Sequence, residues 1–479
     1  MKSYPQEPSS IPFQLNPWGL AIVVGLGVAA GIWWFVPADD DPYASMSDDE
    51  ILAAAEDFYE SRPIFERPFP HSEVPDGMPD MRSETCGTCH GEKYEEWSIS
   101  THARAWEDDA QFMEELAKSR GDYYDDQDED YSWMCVNCHT PMVNQLERLV
   151  VDLEDDNIGK PVYVDNPVYD PELQLDAIGC ATCHVEDGTV YGPRGDSEAA
   201  PHPVAQDEEL SDERNCVRCH QAEEEYPEHS LGCFFTTGDE WAGSHAAERG
   251  QACQDCHMPP TNRKLAEAYD VPERDTRHHW FGGSLIPKHP DFQEEIEELL
   301  PIFGSGATLS LDDDPQRECD GDDDHRCSLP DVRVHNQFAG HRFPTGDPER
   351  HVEVTVTVSD ADGNDLAEAF ERIGAQYQWY PDIELLSDNR IDPGESLYID
   401  VDWPPSEQTM TVEIEAHKYR MYQDDFDYHD LEGRYVRGRQ FHQSTWTVEP
   451  DGRFELDEID DDWGRRQQLE PPDPPPSNQ

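Results

Sequence analysis

Ten of the thirteen cysteines fall into five Cys-x-x-Cys pairs, and a histidine directly follows each pair. Two thiols three positions apart can each form a thioether to one porphyrin, and the next residue then lies under the iron as an axial ligand. The pattern therefore predicts five covalently bound haem c groups. The attachment cysteines and axial histidines are Cys86, Cys89 and His90; Cys135, Cys138 and His139; Cys180, Cys183 and His184; Cys216, Cys219 and His220; Cys253, Cys256 and His257.

Zinc is the alternative occupant, because paired Cys-x-x-Cys also builds zinc ribbons and fingers. Zinc sites do not need a histidine directly after every pair, so haem is the better interpretation. All five motifs lie within residues 86–257, which is too little chain to wrap each haem separately. We therefore expect the haems to share walls and to lie close together, as electron transfer between them requires.

The chain of 479 residues is strongly acidic, with 34 Lys and Arg against 106 Asp and Glu and a formal charge of −72. Such a charge excludes nucleic-acid binding through the phosphates. Repulsion on this scale needs screening, so we interpret the composition as adaptation to a saline, halophilic setting. An acidic docking face for a basic partner is the alternative.

The N-terminus carries an apolar stretch, Leu20–Val36, without a charged residue. Its length suits the hydrocarbon core of a bilayer, and Trp18 and Trp33 lie where interfacial aromatics are expected. The stretch predicts a single N-terminal transmembrane helix, with the rest of the protein extracytoplasmic, in the periplasm or at the cell surface. A cleaved signal peptide is the alternative, although no Ala-x-Ala site precedes Asp39.

Composition and periodicity also predict the domain organisation. In the haem region we expect short helices and loops, with a clearer helix at Phe292–Leu300. Val352, Val354, Val356 and Val358 alternate with polar residues, and further strand-like runs follow, which together indicate an antiparallel β-sandwich. The predicted divisions are a membrane anchor at 1–36, an acidic stalk at 37–80, a pentahaem cytochrome domain at 81–330, a β-sandwich domain at 331–450 and an acidic Pro-rich tail at 451–479.

Three short stretches carry a family resemblance. They are Glu84–His90 followed by Trp97, Ser100 and His102; Trp241, Ser244 and His245 leading into Cys253–Pro259; and the Gly-His-x-Phe-Pro-Thr-Gly motif at Gly340–Gly346. Together they resemble the multihaem cytochrome family whose tetrahaem members accept electrons from hydroxylamine oxidoreductase. The resemblance implies closely packed bis-histidine haems that relay electrons, and a C-terminal β-domain. Five haem motifs instead of four are a departure from that family.

A bis-histidine haem needs a second, distal histidine from elsewhere in the chain. His102 and His245 match the family context, and His341 lies in the third motif of the resemblance. His202 lies in a loop stiffened by flanking prolines, and His279 precedes two glycines that permit close backbone approach. We predict these five as distal iron ligands, with His71, His229, His289 and His335 in reserve.

Three cysteines lie outside the motifs. Cys319 and Cys327 bracket an acidic loop, and a disulfide between them is plausible in an oxidising compartment. The enclosed aspartates are the kind of ligand that binds Ca²⁺, but a solvated loop is the simpler interpretation in so acidic a chain. Cys233 has no assignment from the sequence.

These patterns predict an electron carrier: a membrane-anchored pentahaem cytochrome that relays electrons between respiratory-chain or periplasmic partners. The partners would be a membrane quinol-oxidising complex or a soluble cytochrome, and an oligomer is compatible with the sequence. The alternative is a multihaem reductase or oxidoreductase acting on nitrite, hydroxylamine or a sulfur oxyanion at one open haem. Such pentahaem nitrite reductases typically replace one motif histidine with lysine, whereas all five motifs here end in histidine. No catalytic residue is assigned.

Overall fold

Short α-helices carry the cysteine motifs. The structure, a computed structural model, describes residues 43, 45–121, 129–195, 199–229, 231–313, 329–379, 382–405 and 407–462. The α-helices in these ranges are α1 (Asp48–Glu60), α2 (Ser83–Gly87), α3 (Gly91–Ser98), α4 (Ala110–Ser119), α5 (Ser132–His139), α6 (Pro171–Gln174), α7 (Cys180–His184), α8 (Arg214–His220), α9 (Thr237–Ala242), α10 (His245–Glu248), α11 (Cys253–His257), α12 (Gln293–Leu299) and α13 (Gln423–Tyr428). Each motif lies within a helix or, for the first motif, runs on from one.

The β-strands divide into small hairpins in the first half of the chain and larger sheets in the second. They are β1 (Arg148–Leu153), β2 (Pro161–Asp165), β3 (Val185–Glu186), β4 (Thr189–Gly192), β5 (Val204–Gln206), β6 (Ala222–Tyr226), β7 (Leu231–Phe235), β8 (Pro260–Lys264), β9 (Glu273–Arg277), β10 (Ala307–Asp312), β11 (Asp331–Asn336), β12 (His351–Ser359), β13 (Asp365–Gln378), β14 (Glu384–Asp388), β15 (Ser396–Ile399), β16 (Met410–Tyr419), β17 (Gly438–Val448) and β18 (Phe454–Asp461).

Two antiparallel sheets in the second half share one hydrophobic core. One has the order β10-β11-β15 and the other the order β14-β13-β12-β16-β17-β18. The four alternating valines of β12 are fully buried, together with Val332 of the smaller sheet and Ile414 of β16. The period-two pattern of β12 is therefore confirmed, because one face of that strand packs inward and the other faces solvent.

The region around the cysteine motifs lacks a core of comparable size. Its buried apolar residues form small separate groups, such as Ala105, Trp106, Leu116 and Ala177. Its strands form sheets of only two or three members within the described ranges. A region with many loops and few buried apolar residues cannot form a packed interior from its own side chains. We therefore infer that bound groups complete the interior of this region.

Helix α1 packs on the haem region. At its N-terminus the backbone amide and the hydroxyl of Ser47 donate to the Glu50 carboxylate, at 2.8 and 2.9 Å. Tyr59 is buried, and the Phe58 ring lies 5.6 Å from the Trp133 ring, edge to face. This amphipathic helix thus belongs to the packed region, although the sequence places it in the stalk at 37–80.

Two predictions about the ends of the chain need correction. No helix in the described ranges is both long enough and apolar enough to cross a bilayer. The longest, α1, has 13 residues, whereas a span needs about 20 apolar ones. This contradicts the predicted fold class and localisation where they include a transmembrane helix and a membrane-anchored protein. Residues 20–36, on which those predictions depend, lie outside the described residues.

The C-terminal segment also differs from the prediction of a solvated tail beginning at residue 451. Phe454–Asp461 forms β18 and pairs with β17 at the edge of the larger sheet. Seven of its eight residues are exposed. Because this acidic strand has no buried apolar face, its sequence resembles that of a solvated tail. Beyond it, the buried Asp462 carboxylate binds the Arg439 guanidinium at 3.0 Å.

Candidate haem sites

One continuous cavity joins all five cysteine motifs. Its volume is about 2900 Å³, and its lining includes all ten motif cysteines and all five motif histidines. A pocket for a single small ligand typically has roughly 300–1,000 Å³. The cavity therefore has room for several large groups that touch one another.

Three motif histidines each face another histidine across this cavity. The ring centres lie 6.4 Å apart for His220 and His102, 6.2 Å for His184 and His279, and 6.3 Å for His257 and His341. Two imidazoles that bind opposite sides of one metal, each with a metal–nitrogen distance of about 2 Å, have ring centres about 6 Å apart. All three spacings therefore suit an iron held between two histidines.

Backbone carbonyl oxygens orient most of the histidines that line the cavity. The Nδ1 atoms of His90, His139 and His184 donate to the carbonyl oxygens of Leu265 at 2.7 Å, Ala105 at 2.6 Å and Tyr191 at 2.8 Å. The Nδ1 atom of His257 binds the Gly282 carbonyl oxygen, and that of His341 binds the Arg342 carbonyl oxygen at 2.9 Å. A proton held at Nδ1 leaves the Nε2 lone pair free, which is the form that ligates a metal.

Burial keeps the facing histidines neutral. It lowers the pKa of His102 and of His279 to about 3, and the pKa of His220 to about 4. A neutral imidazole is the metal-binding form, so these side chains are ready to ligate at physiological pH. Within the described ranges, no three His, Cys, Asp or Glu side chains converge as a closed zinc site would require.

Comparisons with known proteins agree with the motifs. Residues 85–160 match the family described as "Cytochrome c554 and c-prime", and this stretch holds the first two motifs. This match and the five motifs support a multihaem c-type cytochrome. No curated protein matches it. A penta-haem cytochrome c552 from Thermochromatium tepidum aligns with 78% of this chain and all of its own length, at 16% identity and a TM-score of 0.49. A likeness of that strength does not define a function.

The five motifs of the cytochrome adjoin one another in a branched order. Motif thiols lie close enough to shift one another's pKa in three pairs: Cys86 and Cys180, Cys138 and Cys219, and Cys216 and Cys253. The first motif thus adjoins the third, the second adjoins the fourth, and the fourth adjoins the fifth. Cys183 of the third motif also lies close enough to Cys219 of the fourth to raise its own pKa, after burial as the main cause. All five attachment sites therefore belong to one connected set.

Two motif histidines of the cytochrome lack a facing partner of the same kind. His202 lines the cavity and, after burial as the main cause, helps to lower the pKa of the His90 ring, but no ring contact between them is found among the described residues. The His139 ring instead stacks on Phe112, with ring centres 3.4 Å apart. Among the described residues, no histidine ring faces His139. His245, predicted as a distal ligand, lines the cavity, and among the described residues its ring contacts no motif histidine.

The reserve histidines have other partners. His229 bonds to the Tyr131 hydroxyl at 2.7 Å, and His289 accepts from the Asp291 amide at 3.1 Å. His335 lies on β11 and bonds to the Ser396 hydroxyl at 3.0 Å, while His71 is exposed. None of these four histidines is among the described residues that line the cavity.

The remaining cysteines divide between the cavity and the undescribed part of the chain. Cys233 lies on β7, lines the cavity, and is close to Cys135 and Cys138 of the second motif. Burial raises the pKa of the Cys233 thiol to about 12, which keeps it protonated and unreactive. Cys319 and Cys327, with their predicted disulfide, lie outside the described residues.

The residues that line the cavity are net basic, whereas the chain as a whole is net acidic. Basic residues outnumber acidic ones by ten to six among the described residues that line it, whereas the whole chain has 34 basic and 106 acidic residues. The basic lining residues are Lys93, Arg194, Arg249, Arg274, Arg277, Lys288, Arg342, Arg350, Lys418 and Arg420. Haem carries two propionates, so this lining suits several anionic porphyrins. The residues present therefore fit the predicted cofactors.

Sequence reasoning missed these cavity cations, because a lysine or arginine in an acidic chain has no motif around it. The signal that the sequence offers for them is the scarcity of basic residues in the chain. A base at Lys93, three positions after a motif histidine, stands out in a chain with so few bases.

Proposed function

We propose that this cytochrome relays electrons between redox proteins through five haems, at least three of them ligated by two histidines. The observation that carries the proposal is the set of three histidine pairs with ring centres 6.2–6.4 Å apart inside one shared cavity. An iron held by two protein ligands has no free position for a substrate, which suits transfer of electrons without chemistry.

The contacts between motifs support a route for the electrons. It runs from the first motif to the third, on to the fourth and then to the fifth, and the second motif branches from the fourth. Attachment cysteines that lie close together would bring neighbouring porphyrin edges together, so each step would be short. The entry and exit haems would meet the partners, which we expect to be a quinol-oxidising complex, a soluble cytochrome or an enzyme of the hydroxylamine oxidoreductase type.

Haem counting and redox titration test this function. We expect a pyridine haemochrome assay to give five c-type haems per chain, and stepwise reduction to take up five electrons. The fully reduced protein should then pass electrons rapidly to an oxidised soluble cytochrome c. Three or fewer haems in mature protein, or stoichiometric zinc, would contradict the proposal.

The second motif favours another function, a reductase with one open haem. His139 faces no histidine among the described residues, so the iron that it would hold is the best candidate for a free ligand position. Nitrite or hydroxylamine would be the class of substrate, because small nitrogen compounds bind iron directly. This function requires that the iron at His139 has a free ligand position in the mature protein.

Carbon monoxide separates the two functions. If the haem at His139 is open, the reduced wild-type protein should bind about one CO per chain, seen as a shift of the Soret band. The reduced protein should also be oxidised by nitrite or hydroxylamine faster than a cytochrome that has only bis-histidine haems. If CO leaves the Soret band unchanged, every iron has two protein ligands and the reductase is excluded.

A further inference from the structure

Lys93 is a buried cation without a partner. Its Nζ atom is inaccessible to solvent and has no hydrogen-bond partner among the described residues. The side chain lines the haem cavity. A buried ammonium that lacks a counter-charge costs several kcal/mol, so such a group normally faces an anion. Burial lowers the pKa of Lys93 only to about 8, so the amine remains charged at pH 7.

One of the carboxylates that act on Lys93, the buried Glu96, is already engaged elsewhere. Glu96 receives two bonds from the Arg263 guanidinium, at 2.7 and 2.8 Å, and one from the His279 backbone amide at 2.9 Å. It also binds Nδ1 of His278. With its acceptor positions taken, Glu96 cannot pair with Lys93. Glu267 and Glu92 also act on Lys93 electrostatically, but neither carboxylate makes a hydrogen bond to its Nζ atom. The occupant of the cavity can supply the hydrogen-bonding anion that these carboxylates do not.

Lys93 lies where the first and third motifs meet. It lies on α3 three residues after His90, which directly precedes that helix. After burial as the main cause, its charge lowers the pKa of His90 and of His184 and His279, the facing pair of the third motif. Lys93 therefore lies beside the positions of the first and third haems.

We propose that Lys93 binds a haem propionate at the junction of the first and third haems and thereby raises the reduction potential of that haem. This inference rests on the haem-binding part of the proposed function. A positive charge beside a haem stabilises the reduced form over the oxidised form, which carries one more positive charge. Removing the charge therefore lowers the potential.

The test compares Lys93→Met with Lys93→Arg in the purified holoprotein. We expect both variants to retain five haems. In a potentiometric titration followed by visible and EPR spectra, Lys93→Met should shift one transition to lower potential. The ratio of oxidised to reduced haem at a fixed potential should rise about tenfold, which is 59 mV for a one-electron couple. Lys93→Arg keeps the charge and should titrate like wild type.

Lys264→Met is the matched control, since Lys264 is an exposed lysine on the nearby strand β8. It should leave all transitions unchanged. The proposal is overturned if Lys93→Met keeps five haems and every transition stays in place, or if Lys93→Arg shifts as far as Lys93→Met. If Lys93→Met fails to mature, Lys93→Arg becomes the deciding variant. Loss of a haem from Lys93→Arg would mean that Lys93 has only a structural role. The wild-type haem count separately tests the proposed function.

Discussion

Replacing His341 with alanine is expected to turn one low-spin haem into a high-spin haem that binds CO. The His341 ring lies 6.3 Å from His257 and nearly parallel to it, at 15°. The variant removes the proposed distal ligand but leaves the backbone anchored, because Asn336 Nδ2 donates to the carbonyl oxygen of residue 341 at 2.9 Å. The iron at His257 would then have an open position on a folded protein.

EPR of the oxidised variant and CO difference spectra of the reduced one measure this effect. We expect a new high-spin signal and about one additional CO per chain relative to wild type. His335→Ala is the matched control, because His335 lies on β11 in the same β-region but faces no motif histidine. Spectra of His341→Ala identical to wild type would show that His341 does not ligate iron.

Replacing Cys86 and Cys89 together with alanine is expected to remove one covalent haem and to destabilise the third motif as well. The two thiols are the predicted attachments of the first haem, and Cys86 also contacts Cys180 of the third motif. The haem region has only small apolar groups of its own, so losing a porphyrin leaves a large void. We expect four haems in whatever protein matures, and a much lower yield.

Cys233→Ala provides the matched control for the motif variant. Cys233 lies in the same cavity near the second motif but outside every Cys-x-x-Cys-His. Mass spectrometry of the intact protein counts the haems in each case. Five haems in Cys233→Ala and four in the double variant are expected. Five haems in the double variant would disprove covalent attachment at the first motif.

Local patterns in the sequence predict the parts of this fold that depend on nearest neighbours. The alternation of β12 is visible because one face of the strand is buried throughout. The acidic alternation of β18 hides the strand, since its residues face water on an exposed edge. The predicted helix at Phe292–Leu300 corresponds to α12, which begins one residue later and ends one earlier.

The distal ligands show where sequence reasoning reaches its limit. His102, His279 and His341 face motif histidines, whereas His202 and His245 line the cavity without such a partner. A proximal histidine is fixed by its position next to two cysteines. A distal histidine is fixed by the three-dimensional path of the chain, which short motifs do not encode. The saline adaptation and the partners remain predictions.

Each facing histidine pair joins segments that are far apart in the chain. His102 comes from a segment before the second motif yet faces His220 of the fourth, and His279 and His341 follow all five motifs. In a chain made from its N-terminus, the third and fifth motifs therefore emerge before the histidines that face them. An iron attached at either motif would keep one protein ligand until the later segment folds over the cavity. Closure of that segment would thus decide when these sites stop being open to small molecules.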